Sequence, residues 1–194
     1  PVICFGHSLG SIINLNFALK YPNQVNALAC WNSGIETGLL PKASRIILAI
    51  EGFFRNQNLP SLIAWKLSFE AWNSKFKPNR TKFDWLSRDE NEVDLYVNDP
   101  YCGFEVSISM WRDVLNGVFY AGNKKNIQKL PKALPVHIIG GAEDPCTQNG
   151  SDMKKLATKL QNSGLSDVTC MILKSTRHES LNEINRDQTT KQFI

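Results

Sequence analysis

Ser8 stands in Gly6-His7-Ser8-Leu9-Gly10, directly after the apolar run Val2–Phe5. A serine hydroxyl is a weak nucleophile. To attack a carbonyl carbon it needs exposure on a tight turn and a base to take its proton. Gly-x-Ser-x-Gly between a strand and a helix supplies that turn. Gly6 and Gly10 are expected to remove side chains that would collide where strand and helix pass closely, and Ser11 keeps the next position small. The chemistry on offer is acyl transfer through a covalent serine intermediate. A bare strand-to-helix turn has the same outline, so the assignment depends on a base and an acid further along the chain.

Histidine is the natural base because its pKa lies near neutrality. The chain has three: His7, His137 and His178. His7 adjoins Ser8 and is expected to point elsewhere. His137 falls within a strand pattern and reads as packed or edge-exposed. His178, in Thr176-Arg177-His178-Glu179, follows the last apolar strand pattern and can swing over the turn at Ser8. A carboxylate must then orient the imidazole and stabilise its charged form. Asp144 ends the run Gly140-Gly141-Ala142-Glu143-Asp144 before Pro145 and is favoured. Glu36, just after the second strand pattern, is the competitor. Asp152 and Asp167 read as helix-start and turn residues. The backbone N–H of Leu9 supplies one donor to the developing oxyanion. A second donor normally comes from a loop after an earlier strand.

These residues must be carried by strands and helices of one sheet. Val2–Phe5 and Val25–Trp31 read as strands, joined by a helix from Ser8 to Lys20 with Leu9, Ile12, Ile13 and Phe17 on its apolar spacing. Strand, helix and strand in so short a span imply a parallel sheet. The alternation resumes with a strand at Pro135–Ile139, a helix at Ser151–Asn162 capped by Ser151, and a strand at Val168–Leu173. A last helix is expected over Ser180–Ile194. Between these halves, residues 35–131 read as helices without a strand. Arg45–Arg55 places Ile46, Ile47, Ile50, Phe53 and Phe54 on one face. Ser61–Phe76 carries Leu62, Trp65, Phe69, Trp72 and Phe76 at 3-4-3-4 spacing. A shorter helix is expected over Asp89–Asn98, and Val106–Tyr120 repeats the amphipathic pattern with Ile108, Trp111, Leu115 and Val118. The domain division is therefore a core of residues 1–34 and 132–194, with a helical cap of residues 35–131 over the carboxyl ends of the strands, where substrate binds.

Composition narrows the function. The chain has 194 residues, 42% hydrophobic and 21% charged, with a formal net charge of +4. The densest basic patch, Lys124, Lys125, Lys129 and Lys132, lacks interleaved aromatics and reads as a solvated face, so nucleic-acid binding is not supported. The five cysteines, Cys4, Cys30, Cys102, Cys146 and Cys170, form no CxxC pair and no disulfide framework, which argues against a zinc site and for a reducing, cytoplasmic setting. Cys4, Cys30 and Cys170 lie in strand-like runs and are expected to be buried. No apolar run approaches the ~18 residues of a membrane span.

The three pieces, Gly6-His7-Ser8-Leu9-Gly10-Ser11, Gly140-Gly141-Ala142-Glu143-Asp144-Pro145 and Arg177-His178-Glu179 with Leu181-Asn182-Glu183, resemble the α/β-hydrolase superfamily. More narrowly they resemble its serine aminopeptidase S33-type, monoacylglycerol lipase and lysophospholipase-like group. Trp85-Leu86-Ser87-Arg88-Asp89, Val93-Asp94 and Asp99-Pro100-Tyr101-Cys102-Gly103-Phe104 are similar to the cap of bacterial members. The order Ser8, Asp144, His178 is that of the superfamily. The resemblance implies a mostly parallel sheet with a helical cap, of which this chain would form the carboxyl-terminal part, the amino-terminal strands and their His-Gly oxyanion loop being absent. It implies hydrolysis of carboxylic esters, monoacylglycerol- or lysophospholipid-like, with no metal or organic cofactor. Ser8 would be the nucleophile, Asp144 the acid, His178 the base and Leu9 an oxyanion donor. The partner would be a small acyl ester or lipid, with transient membrane-surface contact through the cap. Two alternatives stay open: a catalytically incompetent hydrolase fragment or lipid-binding remnant, and an S33-type peptidase.

Overall fold

The computed structural model describes residues 1–193. Four strands form one parallel sheet in the order β1-β2-β3-β4: β1 (Ile3–His7), β2 (Ala27–Trp31), β3 (Val136–Gly141) and β4 (Val168–Leu173). The register sets His7 beside Trp31, Trp31 beside Ile139 and Ile139 beside Met171. The four carboxyl ends therefore lie level. The loops that leave them meet above one edge of the sheet, as ligand-binding loops do in open α/β folds.

Helix α1 (Leu9–Lys20) connects β1 to β2. Its buried positions are Ile12, Leu15, Ala18 and Leu19, which follow the helical period. Ile13 and Phe17, expected on that face, are exposed instead. The face shifts because Asn14 turns inward and donates to the carbonyls of Cys4 and Ala29, tying the helix to β1 and β2. Helix α8 (Ser151–Gln161) packs Met153, Leu156 and Leu160 against the same core. Its cap is Gly150, at φ 79°, rather than Ser151, which lies in the first turn. On the opposite face Ala29, Trp31, Ile139 and Leu173 form a smaller cluster.

Residues between β2 and β3 fold as α2 (Leu39–Phe54), α3 (Leu62–Trp65), α4 (Ala71–Asn73), α5 (Glu90–Asn98), α6 (Ile108–Ala121) and α7 (Lys124–Ile127). A π turn, Lys66–Glu70, joins α3 to α4, where one regular helix was expected. Ser68 lies in that turn, and its hydroxyl donates to the carbonyl of Ala64 at 2.5 Å, a side-chain bond of the kind that loosens a helix. The aromatic stripe still works. Trp65, Phe69, Trp72 and Phe76 pack against a buried cluster of Phe83, Trp85, Leu86 and Val93. The other expected stripe does not. On α2 only Leu48 and Glu51 are buried, while Phe53 is 82% and Phe54 77% exposed.

The last expected helix begins late, as α9 (Arg186–Phe193). Residues 180–185 instead form loop, because their side chains bond neighbouring loops rather than each other. Ile194 lies outside the described residues. Cys170 is exposed on β4 rather than buried, and all five cysteines are free. Among the described residues no helix is long and apolar enough to cross a membrane.

Candidate active site

The site starts with a strained serine. Ser8 follows β1 with φ 53° and ψ −123°, a region sparsely allowed for any residue with a Cβ. Its N–H donates to the carbonyl of Trp31 at 2.9 Å and its carbonyl accepts from Ser11 N–H at 2.9 Å. The turn is thus held at both ends. A Cβ at Gly6 would collide with the backbone of Gly10 and Ser11, so Gly6 is required as expected. Gly10 is not: a Cβ there meets open space. The closeness is one-sided, with the Gly10 backbone pressing on Gly6.

Ser8 is also the N-cap of α1, where a serine hydroxyl ordinarily accepts from the first turn. It makes no such bond. Its Oγ lies 2.8 Å from His178 Nε2. His178 Nδ1 lies 3.1 Å from each carboxylate oxygen of Asp144. A carboxylate only accepts, so Nδ1 carries the proton and the neutral ring offers its Nε2 lone pair to the Ser8 hydroxyl. Sequence order and geometry agree in joining these three side chains.

Asp144 is fully buried and saturated with donors. Oδ1 accepts from Cys146 N–H at 3.0 Å, and Oδ2 accepts from Thr147 Oγ1 at 2.9 Å and Asn32 Nδ2 at 3.3 Å. Burial pushes its pKa up, but the charge of His178 and the bonds from His178, Thr147 and Asn32 together hold it below the ordinary carboxylate value. Burial pulls His178 down, and the charge and hydrogen bond of Asp144, with Glu179, outweigh it and leave the imidazole above its ordinary value. Glu36 is engaged elsewhere. It accepts from Thr37 N–H and Gly38 N–H and pairs with Lys155 at 3.3 Å. The N–H of Leu9 opens α1 beside Ser8, where a helix has no carbonyl of its own to offer.

Three contributors were not foreseen. Asn32 follows β2 and bridges the site, donating to Asp144 and accepting from Ser180 Oγ at 2.6 Å. Thr147 was invisible because its role depends on the short helical turn at Pro145–Thr147. His7 does not point away. Its Nε2 donates to the carbonyl of His178 at 2.9 Å, and its ring sits 5.0 Å from the His178 ring. Adjacency to Ser8 in the sequence was the available signal. Burial lowers the pKa of His7.

Among the described residues, two groups bring metal-ligating atoms within 4.8 Å: His7, His178 and Glu179, and Asp144, Cys146 and His178. Both share His178, whose two nitrogens already face Ser8 and Asp144, so an ion in either would have to break those contacts. A hollow of about 570 Å³ lined by Lys124, Lys154, Lys155 and Lys159 contains none of these groups. A smaller one, about 80 Å³, is lined by Leu86, Ser87, Val93, Tyr96 and Glu179, beside His178.

A parallel sheet with the Ser8–His178–Asp144 arrangement at its carboxyl edge defines the α/β-hydrolase class. Within it, the chain belongs to the serine aminopeptidase S33 family, whose model matches residues 1–185. A carboxyl esterase from Bacillus coagulans, solved with glycerol, superposes with TM-score 0.84 at 22% identity, over 100% of this chain and 63% of that one. A monoacylglycerol lipase from Paleococcus ferrophilus gives 0.73 at 19% identity, over 98% of this chain and 65% of that one. A soluble variant of monoglyceride lipase from Saccharomyces cerevisiae, solved with a substrate analogue, gives 0.71 at 17% identity, over 100% and 60%. The chain thus spans under two thirds of the length of these structures. No curated protein sequence matches it.

Proposed function

We propose that this chain carries the catalytic triad of a serine hydrolase acting on carboxylic esters of acyl chains, monoacylglycerol- or lysophospholipid-like. The observation that carries the reading is the unbroken line from Ser8 Oγ through His178 to a buried, donor-saturated Asp144. His178 Nε2 takes the Ser8 proton as Oγ attacks the ester carbonyl carbon. Leu9 N–H steadies the oxyanion. The C–O bond to the alcohol breaks, and the proton on Nε2 passes to the departing oxygen. The acyl-serine is then hydrolysed by water with the same base. Asp144 keeps Nδ1 protonated and steadies the imidazolium throughout.

Residues 35–131 serve as the cap in this reading, and the exposed apolar side chains of α2 support an acyl substrate and transient contact with a lipid surface. The free thiols support a cytoplasmic setting. Membership of the serine aminopeptidase S33 family supports the peptidase alternative.

The test is Ser8→Ala in the full-length protein, assayed on monoacylglycerols, lysophospholipids, aryl esters and proline-amide peptides. The expected result is ester turnover that falls by roughly 10⁴-fold or more in the variant. Fluorophosphonate should label the parent at one serine and leave the variant unlabelled. Undiminished turnover by Ser8→Ala would sink the assignment, and turnover of peptides alone would favour the peptidase.

A further inference from the structure

We propose that residues 84–88 act as a strap that positions His178, with Arg88 and Glu183 as its closing pair. The inference rests on the triad reading above, and adds that the base is held in place from the helical segment as well as from the sheet.

Glu183 is fully buried and every bond it makes ties loop to strap or loop to itself. Its Oε1 accepts from Arg177 N–H at 2.9 Å and Arg88 N–H at 3.2 Å. Its Oε2 accepts from Arg88 Nε at 3.0 Å and Ile184 N–H at 3.2 Å. Four donors fill a carboxylate, so the buried charge is satisfied only while Arg88 is in place. The backbones are stitched together as well. Glu179 N–H donates to the carbonyl of Leu86 at 2.7 Å, and Ser87 Oγ donates to the carbonyl of Asn182 at 2.7 Å. Arg177 donates to the carbonyls of Asp84 at 2.6 Å and Ser87 at 3.0 Å. These bonds bracket His178 on both sides in sequence. Trp85, in the middle of the strap, lays its ring 4.8 Å from the imidazole.

From the sheet side the loop is anchored as far as Ser180, with His7 Nε2 donating to the carbonyl of His178 and Asp144 accepting from its Nδ1. Asn32 reaches Arg177 and Ser180, and Glu143 N–H donates to Thr176. Beyond Ser180 the hydrogen bonds of the loop go to strap residues and to the loop itself, while Leu181 packs against Ala29, Trp31, Ile139 and Leu173 of the sheet. A base displaced by even 1 Å loses on the order of 10²-fold in rate, because proton transfer depends on near-attack geometry. Movement of the helical segment and readiness of the base are coupled through Arg88–Glu183.

The experiment compares Arg88→Ala, Glu183→Gln and their double variant with the parent in the full-length protein. Each is first checked as folded by near-UV circular dichroism. The expected result is a fall of ~10- to 100-fold in kcat with KM little changed. The double variant should lose no more than the worse single one, since the pair acts as a unit. The downfield proton resonance of His178 Nδ1 should broaden or shift in all three. Arg88→Lys, which keeps the charge but lacks the Nε donor, should restore part of kcat, and it provides the measurement if Glu183→Gln does not fold. Folded variants with kcat within twofold of the parent and an unchanged Nδ1 resonance would overturn the strap while leaving the triad intact. Undiminished turnover by Ser8→Ala overturns the triad reading itself, whatever the strap variants do.

Discussion

The turn at Ser8 and the loop at His178 meet over 2.8 Å but are built in opposite ways. The turn is local. Gly6, pressed against the backbone of Gly10 and Ser11, settles its shape, with one ladder bond to Trp31. The loop is assembled from afar. Its partners lie 95 positions away at Arg88 and 148 at Asn32. A serine can therefore be strained and exposed by its own neighbours, whereas its base is placed only by a completed tertiary structure.

Five substitutions and one titration test how far that contrast holds. The largest effect belongs to Asp144→Asn. It keeps the shape but offers an amide that cannot stabilise the imidazolium or enforce the Nδ1 tautomer, so kcat should fall by about 10⁴-fold. Steady-state kinetics on an aryl ester checks this, and a loss of only a few-fold would mean that another carboxylate serves the base. Next, Gly6→Ala should cost about 3 kcal/mol or prevent folding, because the new Cβ meets backbone that cannot give. Gly10→Ala, in open space, should change stability by less than about 1 kcal/mol. Urea denaturation of both sharpens the local side of the comparison, and equal costs would break it. On the distant side, Gly141 lies directly under the carbonyls of Thr176 and Arg177. Gly141→Ala should lift the loop and lower kcat by roughly 10- to 100-fold, more than its stability loss implies.

The pH dependence follows from His178. The proposed reaction needs the neutral imidazole, and the pKa is raised. The acid limb of kcat/KM should thus fall above the ordinary histidine value of about 6.5, with activity rising as pH increases through it. The linked stability has the opposite sense. Protonated His178 favours the fold, a contribution present in full below the unfolded value and lost as pH rises through the folded one. A limb at or below the ordinary value would show that burial outweighs Asp144. The smallest effect is expected from Glu36→Gln, whose solvent-screened bridge to Lys155 should add little to stability, with kcat within twofold of the parent. A large loss of activity there would reinstate Glu36 as the acid.

The same contrast explains what the sequence made legible. Ser8 was readable because glycine spacing and strand-helix periodicity are short-range signals. Asp144 and His178 were readable because a parallel sheet sends every strand-end loop to one edge. Asn32 and Thr147 carry no local mark, since polar residues in turns are ordinary until a distant partner gives them a task. Periodicity likewise found helices but not their surroundings. The α2 stripe and the stripe from Trp65 to Phe76 look alike as sequence, yet Phe53 is 82% exposed while Phe69 packs against Trp85. Residues 180–185 failed as a helix because Glu183 and Ser180 had better partners across the site.

The strands of this sheet stand in space in the order in which the ribosome makes them. Each can therefore join the growing edge as it emerges. Ser8 emerges with β1, and His178, its proposed base, follows 170 positions later. At roughly 5 to 20 residues per second, that interval lasts about 8 to 35 seconds. Throughout it the nascent chain carries an exposed hydroxyl with no base to activate it. In the proposed reading, Ser8 gains a positioned base only once the residues around Glu183 have left the ribosome and found Arg88.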